Sequence, residues 1–209
     1  MTRQPAHYVS QAFDDIAEDF DDRLVRRLAY QGPERLAALI AARIRPEGAL
    51  DVLDLGCGTG LCAPFLRPYA RRLAGVDLSA GMLAKAAQRG LYDHLETADL
   101  LSVLNGAAGP WDLLVAGDTF PYLGDLAPVF DGAAEALRPG GWLAFSTEAI
   151  DAEGYRLRGN GRFAHGARYI ERLTAGRFEI VAQTSGLLRR EGARPVDGGF
   201  HLLRRLSPT

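Results

Sequence analysis

The sequence predicts an α/β domain, a parallel sheet with helices on both faces, and three observations support this. Short apolar runs punctuated by glycine alternate with amphipathic stretches from residue 50 to 146, the order of right-handed β-α-β units. The first run, Val52-Leu53-Asp54-Leu55, passes into Gly56-Cys57-Gly58-Thr59-Gly60 and then into a helical stretch. The 209 residues, 47% hydrophobic and 24% charged, suit one globular domain, which buries roughly 70% of its unfolded surface without a metal or disulfide staple.

The N-terminal segment reads as helix. Acids crowd its start at Asp14, Asp15, Glu18, Asp19, Asp21 and Asp22, and Arg23, Arg26 and Arg27 follow. Phe13, Ile16, Ala17, Phe20, Leu24 and Leu28 recur at steps of three and four, the helical spacing. Gly32-Pro33 breaks the helix, and a second one covers 34–45 until Pro46 ends it. Strands are expected at 52–55, 72–76, 94–97, 113–116 and 142–146, with helices between them at 60–69, 80–89 and 126–137. Residues 101–109 are too irregular to assign. Two antiparallel strands are expected at 178–190 and 200–205, split by 192–199. There is no internal repeat and no low-complexity linker, so residues 1–209 read as one domain. Within it, 1–46 form a helical lid and 47–209 the core, with an insertion around 149–170.

Charge and cysteine usage narrow the partners. The net charge is −2 with the basic residues scattered, whereas nucleic-acid binding is driven by clustered cations. The longest stretches free of charged residues, 55–66 and 100–111, are 12 residues, and a membrane span needs about 20. Residues 1–10 lack an apolar signal core, so a cytoplasmic protein is expected. Cys57 and Cys62 have no second pair beside them, so neither a zinc site nor a structural disulfide is expected, and no metal ligands are assigned.

The chemistry concentrates around the glycine loop. Glycines at 56, 58 and 60 let the backbone pass close under a ligand, and the following helix directs free N–H groups toward negative charge. A dinucleotide fingerprint needs glycine at 61 and finds Leu61, which disfavours an NAD-linked oxidoreductase. No Gly-Lys-Ser/Thr phosphate loop is present. Asp77 ends the second strand 21 residues after Gly56, the distance of a ribose-binding carboxylate. Asp99 follows the third strand and Asp118 the fourth. Each alone reads as a turn or cap residue; together behind a glycine loop they mark a ligand site at the sheet's carboxyl edge.

These residues carry a resemblance. VLDLGCGTG (52–60), GVDLS (75–79), ADL (98–100), WDLLVAGDTFPYL (111–123) and LRPGGWLAFSTE (137–148) occur in the order found in class I S-adenosylmethionine-dependent methyltransferases. YVSQAFDDIAEDFDD, LAKAAQRGLYDHLETADL and GRFAHGARYI resemble in particular the methyltransferase part of the tetratricopeptide-associated methyltransferases, although no such repeats precede the N-terminal helices here. The resemblance implies a Rossmann-like, seven-stranded sheet with only the last strand antiparallel, and S-adenosylmethionine as cofactor. It implies that Gly56, Gly58 and Gly60 flank the methionine end with Asp54 anchoring the loop, and that Asp77 holds the ribose. Met82 would pack near the adenine, Asp99 would accept from its amino group beside the Leu100 backbone, and Asp118 would sit near the sulfonium. The pattern Phe13-Asp14-x-Ile16-Ala17-x-x-Phe20-Asp21 is similar to a lid in ubiquinone-biosynthesis methyltransferases, which usually carry tyrosine where Phe20 stands. Tyr8 is the candidate to replace that hydroxyl.

On the acceptor side, His165 in the insertion reads either as a capping or surface histidine or as a general base. Tyr122 either touches substrate or packs in the core. Glu148 ends the fifth strand at the same edge. Arg156, Arg158, Arg162 and Arg168 read as a solvated face or as a carboxylate clamp. The expected activity is methyl transfer to O or N of a small-molecule acceptor, giving S-adenosylhomocysteine. The alternative is a catalytically inactive cofactor-binding sensor or partner subunit.

Overall fold

A computed structural model of the chain describes all residues except 23, 25–27, 107–108 and 208–209. Five parallel strands form the central sheet: β1 (Leu50–Leu55), β2 (Ala70–Asp77), β3 (His94–Thr97), β4 (Trp111–Ala116) and β5 (Leu137–Ile150), in the order β3-β2-β1-β4-β5. Val52, Leu53, Asp54 and Leu55 in the middle strand are at most 1% exposed, which is why β1 reads as a continuous apolar run and not as an alternation. Its side chains still alternate between faces. Leu53 and Leu55 join a core with Leu114, Phe130 and Phe145, and Val52 joins another with Leu36, Leu113 and Ala144.

The helices are α1 (Ala6–Asp14), α2 (Gly32–Ala41), α3 (Ala63–Leu66), α4 (Ala80–Gln88), α5 (Leu100–Asn105), α6 (Ala127–Ala136) and α7 (Ala167–Thr174). Among the described residues no helix is long and apolar enough to cross a membrane. The first helix starts earlier than the apolar spacing predicts and stops at Asp14, where a turn follows. The predicted extension over Arg23, Arg26 and Arg27 lies outside the described residues. The stretch expected as one helix over 60–69 is shorter, because Pro64 and Pro68 each lack an amide donor: α3 gives way to a tight turn at Arg67–Tyr69. The unassigned 101–109 region contains α5, which Asp99 caps by accepting from the Leu101 amide at 2.9 Å.

The sheet has nine strands, not seven. β8 (Phe178–Glu191) and β9 (Arg194–Arg205) form the expected antiparallel pair, and β9 also runs antiparallel to β5. The two extra strands, β6 (Tyr155–Leu157) and β7 (Phe163–Gly166), form an antiparallel hairpin inside the insertion. β4 pairs with β5 up to Phe145, and β7 pairs with it from Glu148 onward. Glu148 also pairs with Gly198 of β9, so β7 occupies the edge of β5 that β4 vacates. The hairpin therefore stands beyond the carboxyl end of β4.

Two histidines are folded into the structure uncharged. His201 stacks flat on Phe145, ring centroids 4.6 Å apart, and it and His165 are each 2% exposed. Burial pushes both imidazoles down to about 4. The unfolded chain, with an ordinary value near 6.5, takes up these protons first, so this contribution to stability is full above pH ~6.5 and is lost as pH falls toward ~4. We expect urea unfolding to show a loss on the order of 3 kcal/mol per histidine across that window, reduced in His201→Leu; an equal loss in the variant would remove His201 from the account.

Candidate active site

A cleft of about 1090 Å³, partly open to solvent, lies at the carboxyl edge of β1, β2 and β4. The glycine loop forms its floor. Gly56, Gly58 and Gly60 have φ of +68°, +55° and +83°, which side-chain-bearing residues rarely adopt. The Gly56 and Cys57 amides donate to the Val76 carbonyl at 2.8 and 3.0 Å, tying the turn to β2. A Cβ on Gly56 would come within 2.5 Å of Thr119, whereas one on Gly58 would meet only open space.

The acids stand around this floor. Asp77 accepts from the Gly58 amide at 2.8 Å and the Ser79 amide at 2.9 Å. Its burial lifts the carboxyl above the ordinary range. A carboxylate has about four acceptor sites, so two remain for ligand hydroxyls. Asp54 accepts from the Tyr92 hydroxyl at 2.6 Å, and burial pushes its carboxyl up to about 7. Asp99 caps α5 with one oxygen and pairs with Arg3 through the other; burial opposes its ionisation, but these partners hold it below the ordinary value. Asp118 has φ +58°, fixed in part by its amide donating to Ser146 Oγ at 2.9 Å.

Beyond Asp118 the wall is built on Arg162. Its three guanidinium nitrogens donate to Glu148 Oε1 at 2.6 Å, the Tyr122 hydroxyl at 2.6 Å and Asp118 Oδ1 at 2.5 Å. Arg189, buried behind it, pairs with Glu148 and Glu191. Burial alone would lower the Arg162 guanidinium, but Asp118, Tyr122 and Glu148 raise it instead.

The cleft thus brings together Asp54, Gly56, Gly58, Asp77, Asp99, Leu100, Asp118 and Tyr122 from the sequence reading. Gly60 lies just behind, its amide donating to Cys57 O at 2.9 Å. Three expected residues are placed elsewhere. His165 does not line the cleft: its Nε2–H donates to the carbonyls of Leu123 at 2.9 Å and Gly124 at 3.1 Å, and its ring stacks on Tyr169. Arg162 stands just before β7, whereas His165 is buried within it. Tyr8 is 60% exposed and does not line the cleft; Val9 and Phe13, four apart on α1, do. Met82 is buried on α4 outside the lining, and Leu78 stands in the cleft instead. Sequence reasoning missed Arg3 and Tyr30 as lining residues, and no local signal marks either.

The N-terminal segment closes the cleft. Residues 2–4 are stitched to 122–125 by backbone bonds, including Gln4 N to Tyr122 O at 2.9 Å and Gly124 N to Thr2 O at 2.8 Å. Phe13 packs edge-on against Tyr122 and Phe20. Three of the acids that crowd the segment are latches. Asp14 accepts from Ser79 Oγ at 2.5 Å and the Gly81 amide at 2.9 Å, Glu18 pairs with Lys85 at 2.6 Å, and Asp21 pairs with Arg89.

Comparison with known proteins agrees with this geometry. Residues 53–143 match a family model described as a methyltransferase domain. The chain is 33% identical over 133 residues to a ubiquinone biosynthesis O-methyltransferase of Thiobacillus denitrificans, covering 61% of this chain and 55% of that protein. It is also 33% identical over 118 residues to a malonyl-[acyl-carrier protein] O-methyltransferase of Enterobacter lignolyticus, covering 56% and 47% respectively. The chain thus spans about half the length of these two relatives. The solved N-methyltransferase NodS from Bradyrhizobium japonicum, in complex with S-adenosyl-L-homocysteine, has the same fold, with TM-score 0.64, 22% identity and 84% coverage of each chain. The domain match and the fold bear out the resemblance to class I S-adenosylmethionine-dependent methyltransferases.

If the acids are latches, Asp14→Ala frees α1 from α4. Hydrogen exchange followed by mass spectrometry should then show severalfold faster exchange over 6–14, with the amides of β1 and β4 unchanged. Unaltered exchange in α1 would mean that apolar packing alone holds the segment down.

Proposed function

We propose that this chain is an S-adenosylmethionine-dependent methyltransferase that methylates an oxygen of a small-molecule acceptor and releases S-adenosylhomocysteine. The observation that carries the reading is the convergence of the glycine loop with Asp77, Asp99 and Asp118, at the ends of successive strands, around one cleft. The residues fit the cofactor. Gly58 opens on free space where a side chain would intrude, Asp77 keeps acceptor capacity for ribose hydroxyls, and Asp118 offers negative charge to a cationic centre. Leu100 and Asp99 would flank the adenine, and Asp54 holds the loop's base through Tyr92. The bound cofactor supplies an electrophilic methyl group on a sulfonium.

The chain's own part is to align the acceptor and exclude water, the main demands of an in-line displacement. The apolar residues Val9, Phe13, Phe20 and Leu24 line the cleft from the N-terminal segment, and Tyr122, which also lines it, would meet the acceptor. An oxygen acceptor is supported by the ubiquinone biosynthesis and malonyl-[acyl-carrier protein] O-methyltransferases to which the chain is similar.

Calorimetric titration tests this. Micromolar binding of S-adenosylmethionine and S-adenosylhomocysteine is expected, with none for NAD. Asp77→Ala should weaken it by about 1.5–4 kcal/mol, roughly tenfold to a thousandfold, through lost charge-assisted bonds. Undiminished affinity in the variant would refute the ribose role of Asp77.

A further inference from the structure

We propose that the acceptor is a carboxylate on an apolar body and that Arg162 is the residue that orients it; this rests on the methyl-transfer reading above. The first observation is that the cleft offers no histidine and no unengaged carboxylate to act as a base. Among the described residues lining it there is no histidine, and each of its four aspartates is engaged by Tyr92, by backbone amides, by Arg3 or by Arg162. Burial raises the Tyr122 hydroxyl and the Cys57 and Cys62 thiols, so they stay protonated at neutral pH. A hydroxyl acceptor must lose a proton to a base. A carboxylate arrives without one. Its oxygen lone pair forms the O–CH₃ bond while the C–S bond breaks and leaves its electron pair on sulfur, so opposite charges cancel and no proton moves.

The second observation is spare capacity behind Arg162. Its side chain is 15% exposed and lines the cleft, which the apolar Phe13, Phe20, Leu24 and Leu61 also line. A guanidinium can grip a carboxylate through two parallel N–H···O bonds, which requires Arg162 to release a present partner. Arg189 stands ready to take that partner over. Its side chain is 2% exposed, and its Nη1 has no hydrogen-bond partner and lies 3.5 Å from Asp118 Oδ1. Glu148 Oε2 is likewise without a hydrogen bond, with Arg158 at 3.6 Å. The cluster can therefore exchange one Arg162 contact for an acceptor carboxylate without leaving Asp118 uncompensated.

The test titrates the wild-type protein, loaded with S-adenosylhomocysteine, with octanoate and phenylpropanoate and with their primary amides. Each acid should bind at least about tenfold tighter than its amide. Arg162→Lys should cut acid affinity by about tenfold relative to amide affinity in the same variant. Methyl ester formation from the acids should stay flat between about pH 6 and 9, where an acceptor needing deprotonation rises with pH. Equal binding of acid and amide, binding of neither, or preferential methylation of an alkylphenol or alkylamine would overturn the proposal. Failure of S-adenosylhomocysteine itself to bind would overturn the methyl-transfer reading instead. Should Arg162→Lys not fold, the acid–amide comparison in the wild type decides alone.

Discussion

A guanidinium held away from water must be neutralised where it stands, and the carboxyl end of the sheet is organised by that demand at Arg162. Glu148 meets it from the part of β5 that outruns β4, Asp118 from a left-handed turn after β4, and Tyr122 from the loop beyond. Buried ion pairs of this kind add little net stability, because desolvation offsets their attraction, but removing one partner strands the other at a cost of about 3–5 kcal/mol. Their use is positional. The cluster ties the β6–β7 hairpin to Asp118 and Tyr122 at the edge of the cleft.

The same edge shows how a closed cleft can still load. The N-terminal segment faces the cleft mostly with apolar side chains, alongside Arg3 and Gln4, whereas the Glu18–Lys85 and Asp21–Arg89 latches outside are partly exposed ion pairs. Exposed pairs contribute about 0–1 kcal/mol each, so they set the closed register of the segment without locking it. Phe13 lies against Tyr122 and Arg3 against Asp99, so the N-terminal segment touches both halves of the cleft.

Much of the glycine-loop half of the cleft was legible because its signals are local. A residue just past a strand in a parallel sheet lies at the carboxyl edge whatever the loops do, so Asp77, Asp99 and Asp118 could be placed from pattern alone. The glycines at 56, 58 and 60 announced left-handed backbone in the same way. Tyr8 and His165 failed for geometric reasons. The helical face that α1 turns inward carries Val9 and Phe13, and Arg162, just before β7, lines the cleft whereas His165 within it stacks on Tyr169.

By itself the sequence determined the alternation of strands and helices through β5, the parallel sheet, the glycine loop and the acids beside it. Each depends on hydrophobic period or on the conformational freedom of single residues, which are properties of short segments. Only the tertiary structure decided that Arg162 leaves a basic stretch to enter the cleft, that Arg189 stands behind it, and that three of the N-terminal acids serve as latches. These depend on strand pairings and helix contacts between residues far apart in the chain, such as Glu148 with Ala164 and Asp14 with Ser79. Charge in a sequence has no direction until a fold gives it a face.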